Sequence, residues 1–305
     1  MEDLLSAAPT EAEVGKLDAG DIVKESSDRP HFETVGKGSV LLRYKFRPDE
    51  KVVIKMALVM NQVIFINEQT IRVQTVLSME GNYTVKSVKD TGDALAMITI
   101  TRIRVNTKGP AKIFFDSDSK AEDLDPRLTG LAELINTPLN VKVSPLGRVS
   151  DIDRSALNKI IESAGEGEQL FDLKNICEEF IENTFIALSK KEVKTGDTYE
   201  AGVIIRVMPD GSEIAVKESC KILEISGDNK MCLLQPRGKF SVKSQPAEGM
   251  KIRLNNGAKG GWILFDLEKG NIVRSGGYSH LDVTLGQKGQ SMRMKTDAKM
   301  SFNVQ

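Results

Sequence analysis

The stretch Leu170–Thr198, LFDLKNICEEFIENTFIALSKKEVKTGDT, holds the longest helical pattern in the chain. Asp172 stands where an N-cap belongs, and Leu173, Ile176, Cys177, Phe180, Ile181 and Phe185 recur at i, i+3, i+4, i+7, i+8 and i+12. These positions share one face of a helix, with Lys174, Glu178, Glu179 and Glu182 opposite. Such a stripe has to be buried, at ~1.5–3 kcal/mol per large apolar side chain, and strand-patterned sequence on both sides is the available partner. The spacing therefore predicts a helix packed as a lid on β-sheet, with Gly196-Asp197 turning the chain into a second set of strands.

Upstream, residues 1–38 are rich in Ala, Glu, Asp, Ser and Gly and are expected to form a loosely held arm, with a short helix over Glu11–Leu17. From Ser39 the texture changes: Val40, Leu42, Tyr44 and Phe46 alternate with Leu41, Arg43 and Lys45. Val52–Ile66, Gln69–Met79, Tyr83–Lys89, Ala94–Val105 and Ala111–Phe115 follow as strands, with Glu80-Gly81-Asn82 and Thr91-Gly92-Asp93 read as turns. Turns this short leave no room for helical crossovers, so the pattern is an antiparallel meander. Asp125 and Pro126 open a short helix near 126–136, on which Leu128, Leu131, Leu134 and Ile135 share a face. Strands at Leu139–Val143 and Arg148–Ile152 come next. Asp153 then caps a helix carrying Leu157, Ile160 and Ile161.

Downstream, strands are expected at Tyr199–Met208, Glu213–Ile225, Met231–Leu234, Lys239–Lys243, Met250–Leu254, Gly261–Asp266, Asn271–Arg274, Ser279–Leu285 and Ser291–Phe302. Two segments echo across the helix: VKSVKDTGD (85–93) with CKILEISGD (220–228), and VSPLGRV (143–149) with FDLEKGNIV (265–273). An internal repeat and generic hairpin chemistry both account for such echoes.

Composition excludes several jobs. Lys+Arg total 42 against Asp+Glu 43, a net charge of −1, so no global field favours nucleic acid. Lys55, Asn61 and Gln62 interrupt the most apolar region, Val52–Ile66, so no transmembrane segment is expected. The acidic start MEDLLSAAPTEAEVG has no signal-peptide pattern, which implies a cytoplasmic chain as it stands, or a periplasmic or secreted one if it is a processed form. Cys177, Cys220 and Cys232 are read as buried thiols; a Cys220–Cys232 bridge would need export.

No constellation carries chemistry. Asp116, Asp118, Glu122, Asp123 and Asp125 crowd one loop without EF-hand spacing, and are read as a solvated acidic loop with no metal. His31 and His280 have no partner at zinc spacing, with His280 placed in a strand or at its rim. Gly257-Ala258-Lys259-Gly260-Gly261 leads into a strand instead of a helix, so it is read as a glycine-rich turn and not a phosphate cradle. No cofactor is implied, and the expectation is a non-enzymatic protein. The one suggestive feature is methionine on sheet faces, at Met56, Met60, Met79, Met97, Met292, Met294 and Met300. These residues either pack under the helices or line an adaptable apolar cavity. Trp262 is similarly a core aromatic or a pocket wall.

In the segments GNYTVKSV (81–88), ITITRIR (98–104), SPLGRV (144–149), KEVKTGDTY (191–199) and GWILFD (261–266), the chain resembles a bacterial domain-of-unknown-function family of β-rich, often exported proteins. The resemblance covers roughly residues 39–305 and implies no activity, cofactor or catalytic residue. The missing export signal departs from that family. Long antiparallel strands with helices on one face are also similar to lipoprotein-carrier half-barrels, a likeness of fold alone.

The expected fold is α+β, mainly β: two antiparallel β-meanders, as curved sheets or a half-barrel, with about three central helices on an apolar face. The divisions fall at an arm 1–38, a first meander 39–152, central helices 153–189 and a second meander 190–305. The expected function is binding or scaffolding, with an apolar small molecule or lipid between sheet and helices. Met56, Met60, Met97, Phe180, Phe185, Trp262 and Met294 are its candidate contacts. The alternative is a module that self-assembles or binds a protein partner through its sheet edges.

Overall fold

A computed structural model describes residues 19–305 apart from 67, 111, 120–127, 164–172, 208–211, 246–249 and 288–289. Its elements in chain order are α1 (Ala19–Ser27), β1 (Lys51–Ile66), β2 (Gln69–Val88), β3 (Ala94–Lys108), β4 (Ile113–Asp116), α2 (Thr129–Leu134), β5 (Pro138–Val143), β6 (Val149–Asp153), α3 (Ser155–Ser163) and α4 (Leu173–Thr184). The second half adds β7 (Thr198–Val207), β8 (Glu213–Ile225), β9 (Met231–Ser244), β10 (Met250–Asp266), β11 (Asn271–Gln287) and β12 (Gln290–Val304). The class is as expected, mainly β with a few helices.

The two meanders form one antiparallel sheet. Its order is β6-β5-β3-β2-β1-β12-β11-β10-β9-β8-β7, with β4 pairing β3 off this path. The seam is the pairing of β1 with β12, from Ile54 opposite Val304 to Ile66 opposite Met292. Among the described residues neither β6 nor β7 has a second strand beside it, so the sheet is open.

Several strands run straight through positions that the sequence marks as turns. Glu80-Gly81-Asn82 lies inside β2, where the register with β3 shifts by one residue. Gly257–Gly261 lies inside β10, and Gly276-Gly277 inside β11. Apart from Gly277, these glycines are points of close approach, where an added Cβ would collide. At Gly81 it would stand 2.8 Å from Phe180 Cζ, and at Gly257 2.7 Å from Phe240 Cβ. β9 likewise continues through Pro236, next to which the ladder with β10 skips from Arg237 to Leu234. Gly147 is a genuine turn glycine: φ is +69°, and a Cβ there would run into the Ile186 carbonyl.

Pairing fixes which side chains share a face. On the inner face, Met79, Met56, Phe302 and Ser275 lie in one row across β2, β1, β12 and β11, and Leu77, Leu58, Met300 and Gly277 in the next. The helices cover this face. Leu128, Leu131 and Leu134 around α2, Leu157 and Ile160 of α3 and the whole α4 stripe are buried in the main core. Asp125, Pro126 and Asp172, expected as caps, lie outside the described residues; Asp153 does cap α3, accepting from the Ser155 amide at 3.0 Å.

The segment 40–46 forms no ladder strand, although Leu42 and Tyr44 are buried as its alternation predicts. It threads between two hairpin turns, Tyr44 N donating to Pro145 O at 2.8 Å and Lys45 N to Gly270 O at 3.2 Å. The expected helix over Glu11–Leu17 lies outside the described residues. The rest of the stretch read as a loose arm is attached: Ile22 of α1 packs on Val59 and Val76 on the outer face, and Val35 bridges to Ser226.

Candidate functional site

The α4 stripe meets two different surfaces. Toward β1–β3, Phe180 is fully buried above Gly81, and Phe185 lies with ring centroids 5.2 Å from Tyr83 and 5.7 Å from Tyr44. Tyr44 completes the join by accepting from Ile186 N at 3.0 Å, and burial raises the pKa of its phenol. Toward β7–β12 the same helix faces a chamber of about 980 Å³.

On the helix side it is lined by Lys174, Glu178, Ile181, Glu182 and Asn183 of α4 with Phe185 and Ile186 just beyond, and its sheet wall includes Ile263, Ser275, Gly277 and Met300. The chamber exists because the second half of the sheet is short of side chains where α4 crosses it. In register, Leu77 and Leu58 of β2 and β1 are followed by Met300, then Gly277 and Gly261. Glycines stand where the first half has large side chains; the Gly276 carbonyl crowds the Cβ position of Gly261, so it is Gly277 that leaves space. A Cβ at Gly277 would meet nothing nearer than Gly260 O at 3.4 Å and Met300 Cε at 3.8 Å, so that position has room.

Val149 and Ile152 of β6 and Ala201–Ile205 of β7 line the same chamber. The two unpaired edges thus flank one opening, and the sheet curls toward a barrel without closing. At the far end of the chamber, Lys259 and Glu218 form an ion pair at 2.8 Å across β10 and β8. At its rim, Arg154 pairs with Glu178 at 2.8 Å.

The sequence-nominated contacts divide. Phe185 and Trp262 line the chamber, and Met56 and Phe180 are buried in the core next to it. The indole of Trp262 nevertheless belongs to the outer face: its Nε1 donates to Ser26 O of α1 at 3.1 Å, and the Arg274 guanidinium lies 5.1 Å over the ring. Met60 lies opposite Ala298 and Thr75, one row beyond Met300, while Met294 packs farther along with Val283 and Ile252. Met97 is on the outer face: Ala96 and Ile98 beside it are buried inward, and the alternation turns it away from α4. Met300, Ile181, Ile186 and Ile263 were not nominated. The signal for the chamber floor was the placing of Gly260-Gly261 and Gly276-Gly277 about equally far from the 266–271 turn, which pairs them.

Cys177, Cys220 and Cys232 are buried, and burial pushes the Cys220 and Cys232 thiols up to about 12. Asp116 and Asp118 of the acidic loop both contact Arg102, at 3.0 and 2.9 Å, while Glu122, Asp123 and Asp125 lie outside the described residues. His280, in β11, contacts Asp297 at 2.7 Å. Among the described residues no helix is long and apolar enough to cross a membrane, and no three His, Cys, Asp or Glu side chains cluster as metal ligands do.

No family model matches the chain, and no curated protein matches it either. Among solved structures, the chain is similar to lipovitellin, from a structure of its lipid–protein interactions, with a TM-score of 0.48 and 12% identity over 85% of this chain. It spans about a quarter of that protein, 26% of its chain. It is less similar to an outer membrane lipoprotein-sorting protein domain from Vibrio parahaemolyticus (TM-score 0.15, 11% identity, 79% of this chain and 83% of that one). A DUF1329 family protein from Desulfovibrio piger has a TM-score of 0.12 and 9% identity, over 80% of this chain and 83% of that one.

Proposed function

We propose that this protein is a non-enzymatic carrier that holds one apolar ligand between α4 and the β7–β12 half of its sheet. The chamber carries the reading. Its volume of about 980 Å³ is at the upper end of the ~300–1,000 Å³ of small-molecule sites. Its walls include Ile, Phe and Met side chains with glycine backbone between them, and among its charged residues Arg154 is paired with Glu178 and Lys259 with Glu218. Apolar surface that faces water in the chamber favours an apolar ligand, at ~25 cal/mol for each Å² that the ligand covers. Placing the opening between two unpaired strand edges lets the walls separate without breaking a ladder.

Native mass spectrometry of the purified protein, followed by solvent extraction, tests the reading. The expected result is an extra mass that extraction removes and that an added fatty acid or alcohol restores. A protein that never carries such a mass and takes up none of these probes would rule the carrier out.

The free edge of β7 supports a second reading, strand addition by a second copy or a protein partner. Val203 and Ile205 on this edge are 60% and 44% exposed. Light scattering during size exclusion separates the two: a monomer at all concentrations removes self-assembly and leaves the carrier untouched.

A further inference from the structure

The mouth of the chamber carries more positive charge than an apolar interior needs. Arg148 follows Gly147 in the β5–β6 turn and borders both the chamber and a shallower recess of about 320 Å³ beside it. Around that recess stand Ser189, Lys190, Lys191, Tyr199 and Glu200. The loop supplying the lysines is pinned from below. Arg43 donates to the carbonyls of Leu42, Ser189 and Lys190 at 2.6, 2.7 and 2.9 Å. The Ser189 hydroxyl accepts from Lys191 N at 3.2 Å and donates to Lys191 O at 2.8 Å. The two ammonium groups therefore project from a fixed backbone.

Elsewhere in the chamber lining, Arg154 pairs with Glu178 and Lys259 with Glu218. In the recess, Glu200 is held by Lys217 at 3.0 Å, and nearby Glu192 accepts from Ser39 at 2.7 Å. Arg148, Lys190 and Lys191 form no ion pair among the described residues.

We propose that this recess takes the head of the chamber's ligand, and that the ligand is a single-chain amphiphile ending in an anionic oxyacid, a carboxylate or a phosphate monoester. The inference rests on the carrier reading and extends it to a ligand class. A tail in the chamber places a head at its mouth, where Arg148 offers a planar fork of donors and the lysines add two point charges.

Isothermal titration of the delipidated full chain tests it with four probes: palmitate, 1-palmitoyl lysophosphatidate, palmityl alcohol and inorganic phosphate. The two anionic amphiphiles are expected to bind on the order of tenfold tighter than the alcohol, with that margin shrinking as salt rises. In the Arg148→Glu, Lys190→Glu, Lys191→Glu variant the preference should vanish while the alcohol still binds. If charge reversal prevents folding, Arg148→Gln alone should reduce the margin severalfold. Palmityl alcohol binding as tightly as palmitate in the unaltered protein, or an anion preference that survives the substitutions, overturns the head-group assignment and leaves the carrier standing. Inorganic phosphate binding as tightly as lysophosphatidate would make the recess a free oxyanion site and overturn the amphiphile. If no amphiphile binds, the carrier reading itself fails.

Discussion

Against β1–β3, α4 presses Phe180 onto Gly81 and sets Phe185 among Tyr44, Phe46 and Tyr83; against β10–β12 it faces Met300, Ser275 and Gly277 across about 980 Å³. One helix with one apolar stripe thus serves as core on one side and as a chamber wall on the other. Glycine takes part in both outcomes. Gly81 is filled by a neighbour's ring, whereas Gly277 has nothing closer than ordinary contact distance. A missing side chain makes a socket where a partner reaches into it and a hollow where none does.

The largest expected effect comes from the filled side. Phe180→Asp would place a carboxylate at a fully buried position with no cation beside it, a cost of several kcal/mol that is expected to abolish folding and binding together. Circular dichroism at room temperature checks it, and a native spectrum would show α4 to be peripheral. Methionine truncation then compares the halves directly. Met56→Ala, buried between Met79 and Phe302, is expected to cost about 2–5 kcal/mol in a urea melt. Met300→Ala, at the chamber wall, should cost less than about 1 kcal/mol, because its end already borders empty space. Equal costs would mean that the chamber is packed in solution.

The smallest effect belongs to the outer surface of the hollow half. The Arg293 guanidinium, at 2.6 and 2.9 Å, together with Asn255 holds the Asp282 carboxyl down at about 2 from an ordinary 3.8. A folded-state value below the unfolded one adds stability that is present above pH ~4 and lost as pH falls through 2. Asp282→Asn should therefore cost about 1 kcal/mol at neutral pH and flatten the acid limb of the stability curve between pH 4 and 2. An unchanged acid limb would show the pair to be idle.

Period and parity were legible in the residues. The α4 stripe follows from spacing and is buried as its spacing requires; the one-sided set of the last strand also follows, with Phe302 buried and Met292, Met294, Ala298 and Met300 half-buried on the inner face. Parity also placed Met97 outward, since Ala94, Ala96, Ile98 and Ile100 take the inner positions of β3; grouping the methionines by type overlooked it. Glycine was the illegible residue. The letters that turn a chain at Gly147 leave it extended at Gly81, Gly257 and Gly277, because what decides is the neighbour from another strand or helix. The sequence does not show that neighbour, so its pattern breaks the strands at Gly81, at Gly257–Gly261 and at Gly276-Gly277, where the structure runs straight through. Trp262 is buried, but the sequence does not show what its indole meets: its partner, Ser26 of α1, lies in a stretch whose helix has no long periodicity to announce it.

The central claim is that the hollow half is a binding chamber, and Gly277→Leu tests it most directly. A leucine there projects beside Met300 into open space on a strand whose φ is ordinary, so stability should hold or rise by about 0.5–1 kcal/mol. Titration of the delipidated protein with palmitate should then show binding to the unaltered chain and at least tenfold weaker binding to Gly277→Leu, at an equal or higher melting temperature. Equal affinity in the two proteins would contradict the account, because the ligand would be held somewhere other than between α4 and the glycine floor.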